Sequence, residues 1–129
     1  MPVSVQRQLF RRYVEHTTVV TIGSEWFSLT ACRRADGALG AVAIGCGRPG
    51  GSAAGLLRGY ATALSLGLDH GVPLADLLRP GLGLRFAPDG RTDDPEIPDT
   101  CSAVDYCCRR LAIDWLPYPE RAALGVITR

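Results

Sequence analysis

Three stretches of alternating character, TVVTI (18–22), EWFSLTACR (25–33) and ALGAVAIG (38–45), follow one another with only a few residues between them. A period of two puts successive side chains on opposite faces of a strand, and β-branched and aromatic residues suit that pleated surface. Gly23-Ser24 and Asp36-Gly37 divide the runs, and Asp-Gly between two strand-like runs is a strong hairpin signal. Connections this short allow antiparallel neighbours only, because a parallel pair needs a crossover of a dozen or more residues. The chain is thereby committed to an antiparallel meander. Trp26, Ser28 and Thr30 would share one face, and Phe27, Leu29 and Ala31 the other.

The period then changes. Leu57, Ala61, Leu64 and Leu68 make one helical stripe over 53–69, widened by Leu56, Tyr60 and Ala63, with Ser52 as the expected N-cap. Asp69-His70-Gly71-Val72-Pro73 supplies a stop: a histidine favourable to the helix dipole, a glycine for positive φ, and a proline opening the next turn. A short helical piece is expected over 73–79. Residues 80–99, rich in proline and glycine, read as a long irregular connection, functional or tightly docked. Val104, Cys108, Leu111 and Trp115 spell a last helix over about 100–116, capped by Asp99 or Thr100, with Asp105–Arg109 and Arg110–Asp114 as i,i+4 pairs. Pro117 and Pro119 end it, and the tail from 118 is expected to be mobile. Upstream, VQRQLFRRYVE (5–15) places Leu9, Phe10, Tyr13 and Val14 at helical spacing, which predicts a short amphipathic helix with solvated arginines. The expected fold class is α+β: a three-stranded antiparallel β-meander packed against two main α-helices, with a short N-terminal helix and a long ordered loop. Residues 1–16 form a lead-in, 17–116 the domain and 117–129 the tail.

Composition removes several function classes. A chain of 129 residues, 47% of them hydrophobic, can fill one core but cannot build a (β/α)8 barrel, which needs roughly 250 residues. A net charge of +1 gives no field to attract nucleic acid or an anionic membrane. All 14 basic residues are arginine, so neither a Schiff-base lysine nor a phosphate-clamping one is available. No apolar run reaches the ~18–20 residues of a membrane span. Five cysteines (32, 46, 101, 107, 108) show no C-x-x-C spacing and no signal-peptide pattern accompanies them, so free thiols in a reducing cytoplasm are expected. His16 and His70 are isolated from the cysteines, and neither a metal site nor a cofactor is assigned.

The stretch GCGRPGGS (45–52) stands one residue from the phosphate loop G-x-x-x-x-G-K-S, with Gly51 where the lysine would be. Without the lysine, and after a meander rather than within a βαβ unit, it does not predict nucleotide hydrolysis. A weaker expectation survives: Gly47, Arg48, Gly50, Gly51 and Ser52 could hold an anion at a helix N-terminus, against a plain strand-to-helix turn that needs glycine for its backbone. Cys107-Cys108 reads as a pair of small core residues. Cys101, near a helix N-terminus, is the one thiol placed for a lowered pKa. Asp93, Asp94 and Glu96 lack calcium-loop spacing and read as a solvated acidic turn. Arg85 is expected to pair with Asp105 and pin the long loop to the last helix. An enzymatic arrangement, with the 80–99 loop as a lid over His70, Arg85 and Asp89, offers no nucleophile–base pair, and no catalytic residue is assigned.

The strings IGSEWFSL, ADGALGAVAIG, ATALSLGLDHGVPL, LRFAPDG, DPEIP and CSAVDYCCRRLA occur in an order and spacing that closely resembles the C-terminal accessory region, the TSCPD-type domain, of adenosylcobalamin-dependent (class II) ribonucleotide reductases. The resemblance covers about residues 17–116. It implies an α+β domain carried after a catalytic barrel and before a cysteine-bearing tail. The radical cysteine, reducing pair and cobalamin site of such an enzyme lie outside this segment, so none is carried over. Cys107, Cys108, Arg109 and Arg110 stand where the resemblance implies a hydrophobic helix. The functional expectation is a stand-alone cytoplasmic homologue of the accessory domain, a non-catalytic binding, assembly or regulatory module. Its expected partner is a ribonucleotide reductase catalytic chain or itself, as a homodimer through an edge strand. The alternative is a self-assembling interaction protein that reuses the fold.

Overall fold

The computed structural model describes residues 15–47 and 50–127. The helix expected over 5–15 lies outside them except for Glu15, which opens the first strand. Strands β1 (Glu15–Ile22), β2 (Glu25–Arg33) and β3 (Leu39–Cys46) form an antiparallel sheet in chain order. Its register sets Thr17 opposite Thr30 and Val19 opposite Ser28, then Ser28 opposite Gly45 and Thr30 opposite Ala43. Alternation along β2 is as the sequence predicts. Phe27, Leu29 and Ala31 are buried, while Trp26 is exposed and Ser28 and Thr30 are half-buried.

Helix α1 (Ser52–Asp69) lies on the inner face, and its buried residues are the predicted stripe of Leu57, Ala61, Leu64 and Leu68. Leu56 and Ala63, expected to widen that stripe, face solvent. Ser52 is not the cap. Gly51, with extended backbone at φ −88° and ψ 174°, takes that position and Ser52 is already helical. The stop works as written: Gly71 turns to φ 78°, where a Cβ would be strained, and Val72 N donates to Gly67 O at 3.0 Å. Helix α2 (Leu74–Leu78) and a 3-10 turn (Arg79–Gly81) follow.

Helix α3 (Ala103–Trp115) is enclosed on nearly every side, since Val104, Tyr106, Cys107, Cys108, Leu111 and Ala112 are all buried. Its cap is Ser102 rather than Asp99 or Thr100: the hydroxyl accepts from Asp105 N at 3.0 Å and donates to Leu84 O at 2.6 Å. One side chain thus satisfies the helix end and ties it to the loop. Cys107 and Cys108 are core residues. Burial pushes both thiols up, Cys108 to about 11, although the Tyr60 hydroxyl 3.0 Å away works against that rise. The segment from 118, expected as a mobile tail, forms α4 (Tyr118–Ala123) and then buries Val126.

The two sheet edges are treated differently. On β3, Ser65 of α1 accepts from Val42 N at 3.0 Å and lies 3.2 Å from Val42 O, so a helix hydroxyl occupies the middle of that edge. On β1, the long loop pairs with the C-terminal end: Asp93 Oδ1 accepts from Thr21 N at 2.8 Å, Asp93 N donates to Thr21 O at 3.3 Å, and Gly23 N donates to Arg91 O at 3.2 Å. The loop also folds on itself through β4 (Gly90–Arg91) and β5 (Asp99–Thr100).

Candidate functional site

Chemistry-bearing side chains gather where the long loop meets α3. The Asp105 side chain is only 1% exposed, yet its carboxylate accepts from Gly83 N (2.7 Å), Cys101 N (2.9 Å), Thr100 Oγ1 (2.8 Å) and Arg109 Nε (3.1 Å). Burial disfavours its charge, but the Cys101 and Gly83 N–H groups, Thr100 and Arg109 together outweigh that penalty and hold the carboxyl below the usual range. Asp105 joins loop to helix, but not through the expected pair with Arg85. Arg85 turns away, to Asp89 at 2.7 Å and to Cys101 Sγ at 3.3 Å. With Gly83 N, Cys101 N, Thr100 Oγ1 and Arg109 Nε on it, the carboxylate has its lone pairs occupied, and Arg85 pairs instead with Asp89 of its own loop.

One turn further along α3, Arg110 closes the acidic turn. Its guanidinium meets Asp94 at 2.9 Å, Glu96 at 2.9 Å and Asp114 at 2.8 Å, and Tyr106 donates its hydroxyl to Asp94 at 2.6 Å. The expectation of a solvated turn is corrected here, because the Asp94 side chain is 11% exposed and Asp93 is bound to β1. Burial acts to raise the Asp94 pKa, but Tyr106, the Glu96 N–H and Arg110 overcome it and lower the value. The three acids raise the pKa of Arg110 against its own burial. Of these pairs, Arg110–Asp114 was legible as an i,i+4 spacing. The contacts to Asp94 and Glu96 join residues 16 and 14 positions apart through an irregular loop, and no periodicity announces them.

The glycine stretch belongs to the sheet. Gly47 N donates to Trp26 O at 3.0 Å, and a Cβ on Gly47 would stand 2.7 Å from the Trp26 indole nitrogen. Likewise a Cβ on Gly45 would lie 2.8 Å from Ser28 Oγ. Both glycines make room for side chains of β2. Of the residues proposed to grip an anion, Gly47 has its N–H engaged, Gly51 caps α1, Ser52 sits inside the helix, Gly50 turns at φ 84°, and Arg48 lies outside the described residues. The arrangement His70–Arg85–Asp89 is not assembled either: Arg85 meets Asp89, while His70 places Nδ1 2.8 Å from Leu66 O of its own helix.

What stays open is the outer face of the sheet. No helix covers it among the described residues, and it presents Val19 (63% exposed), Trp26 (49%), Thr30 and Ala43 without a charged side chain among them. Beside this face, the outward N–H and C=O groups of Thr17 and Val19 have no partner among the described residues, so this part of the β1 edge lacks the blocking seen at Val42 and Thr21. Among the described residues there is also no group of three or more His, Cys, Asp or Glu side chains arranged to hold a metal ion, and no helix long and apolar enough to cross a membrane.

No protein-family model matches the sequence, and no solved structure matches it. Curated relatives do. The vitamin B12-dependent ribonucleotide reductases of Streptomyces avermitilis and Streptomyces coelicolor are each 40% identical over 110 residues, covering 85% of this chain and 11% of theirs. The protein of the same name from Agrobacterium fabrum is 30% identical over 116 residues, covering 88% of this chain and 9% of its own length. The chain therefore spans about a tenth of the length of the curated relatives it matches, and its similarity is to a small domain of a class II ribonucleotide reductase.

Proposed function

We propose that the chain is a counterpart of the TSCPD-type accessory domain of adenosylcobalamin-dependent ribonucleotide reductases, and that it acts without catalysis of its own as a docking or regulatory module on a reductase chain in the cytoplasm. The observation that carries this reading is the 40% identity running through 85% of this chain yet confined to 11% of a far larger reductase. In those relatives the matched segment is about a tenth of a longer chain. The surface offered for docking is the sheet face around Val19 and Trp26, uncovered by any helix among the described residues, where Ala43 and the hydroxyl residues Thr17, Ser28 and Thr30 complete an uncharged patch. The clamped loop behind it supplies rigidity, so docking would need little reordering. The chain should co-purify with a B12-dependent reductase from which the matching segment has been deleted, and Val19→Arg should abolish that association. Failure of the unmodified chain to bind the truncated reductase or alter its activity would remove this reading.

A specific observation favours a second reading, self-assembly. Natural sheets block their edges with charges, prolines, bulges or covering segments. This chain blocks β3 with Ser65 and the end of β1 with Asp93, but leaves Thr17 and Val19 open. Antiparallel pairing of two copies through this stretch about a two-fold axis would join their sheets. Val19→Pro removes one outward N–H without touching the β1–β2 ladder, so it should convert such a dimer to monomer; a strict monomer at high concentration excludes the reading.

A further inference from the structure

At the far end of the sheet from the glycine stretch, the β2–β3 turn and the α1–α2 turn enclose a cleft of about 330 Å³ with the end of α3. Its walls are Leu39, Leu68, Val72 and Leu74, with Trp115 on one side and Arg34 on the other. This volume is at the lower end of small-molecule pockets, roughly 300–1,000 Å³. No residue lining the cleft carries a carboxylate.

The polar groups around it are donors. Arg34 Nε is buried without a hydrogen-bond partner. The nearest acid, Asp36, stands 3.9 Å from that nitrogen and directs the same oxygen to Ala38 N at 2.9 Å. A second arginine, Arg33, lies with its guanidinium 5.2 Å from the centroid of the Trp115 ring, whose indole N–H has no hydrogen-bond partner among the described residues. The strand register shifts between Cys32 and Arg33, just before Arg34 enters the cleft wall. The backbone donors of the two turns are engaged internally: Arg34 N to Ala38 O, Gly37 N to Arg34 O, Gly71 N to Leu68 O and Val72 N to Gly67 O. Arg34 and Trp115 are thus the polar groups left to meet a ligand.

We infer that this cleft binds a small apolar carboxylate, its hydrocarbon body against Leu68, Val72, Leu74 and Trp115 and its acid group on the Arg34 guanidinium. A neutral ligand of the same shape would offer the Arg34 guanidinium no charge beyond that of Asp36 at 3.9 Å, and a cationic one would be repelled by it. A free acid and the C-terminal group of a peptide ending in an aromatic residue share this chemistry, since both present one aromatic body and one acid.

The probe is 3-phenylpropionate, compared with 3-phenylpropanol and 3-phenylpropylammonium. Binding is followed by amide shifts of the labelled full chain and by Trp115 fluorescence in a Trp26→Phe background. Saturable shifts should centre on Arg34, Leu39, Val72 and Leu74, with the alcohol about tenfold weaker, the difference between a charge-assisted and a neutral hydrogen bond, and the ammonium weaker still. Arg34→Gln should reduce the carboxylate to the affinity of the alcohol and leave the alcohol unchanged. Val72→Phe, which fills the cleft from an exposed turn, should abolish both. A tripeptide ending in phenylalanine, with free or amidated C-terminus, separates the sources: binding by the free acid form alone assigns the site to peptide ends as well, and binding by neither peptide assigns it to free carboxylates. Equal affinity for all three probes, shifts away from the cleft, an unaltered response in Arg34→Gln, or no saturable binding below about 10 mM would each overturn the inference.

Discussion

The meander and the long loop reverse the usual relation between regularity and enclosure. The sheet is the regular part of the molecule, yet among the described residues no helix covers its face around Val19 and Trp26, and the outward groups of Thr17 and Val19 have no partner. The loop over 82–101 has only two short paired segments, yet its carboxylates and backbone groups converge on buried partners in α3: Asp105 on one turn and Arg110 on the next. The sheet is held by a repeating ladder and a generic apolar face, so it tolerates an open side. The loop has no ladder and depends on a few side chains that each satisfy several groups. Where a single residue carries several bonds, its loss should be felt most; where the ladder carries them, substitutions on the open side should hardly register.

The largest effect is expected at the loop. Asp105→Ala strands two backbone N–H groups, a threonine hydroxyl and Arg109, and should lower stability by about 3–5 kcal/mol in urea unfolding. Arg85→Ala, at a side chain that is 66% exposed, should change it by less than about 1 kcal/mol. Equal losses at the two positions would return the pin to Arg85. Next is Arg110→Ala, which leaves Asp94 and Asp114 without their cation and should cost about 2–3 kcal/mol. The same region sets the acid response. Asp94 and Asp105 both titrate lower in the fold than in the unfolded chain, so their contribution is complete above the ordinary carboxylate pKa and is lost as pH falls below about 4. Thermal melts should drop steeply over that range, and Asp105→Asn should start lower and fall less. Ser65→Ala, which unblocks the middle of β3, should cost about 1 kcal/mol. Smallest of all, Val19→Arg on the open face should stay within about 0.5 kcal/mol. A large loss there would mean that the face is covered in the folded chain and would break the contrast.

The same contrast explains what could be read in advance. The three strands, the α1 stripe of Leu57, Ala61, Leu64 and Leu68, and the stop at Gly71 follow from periods of two and 3.6 and from local turn chemistry. The α3 pairs Asp105–Arg109 and Arg110–Asp114 were legible for the same reason, being one helical turn apart. Asp94 and Glu96 were not. Their partner lies across a loop whose path no short-range rule predicts, and an acidic turn beside prolines reads as solvated until Arg110 is placed beside it. Ser102 lost its cap to Asp99 and Thr100 in the sequence because all three residue types cap helices, and only the backbone path decides which hydroxyl meets Asp105 N. The glycines at 45 and 47 carried a misleading phosphate-loop spacing, and their cause, the Ser28 and Trp26 side chains on the neighbouring strand, depends on a register that spacing alone does not reveal.

The central claim, that this domain serves a B12-dependent reductase, is tested most directly by light scattering on size-exclusion fractions of the chain mixed with a reductase lacking the matching segment. The account predicts a species with the summed mass of one reductase chain and one copy of this domain, lost with Val19→Arg and retained with Arg85→Ala. Separate elution of the two proteins at every mixing ratio, with this chain keeping the mass it shows alone, would contradict it.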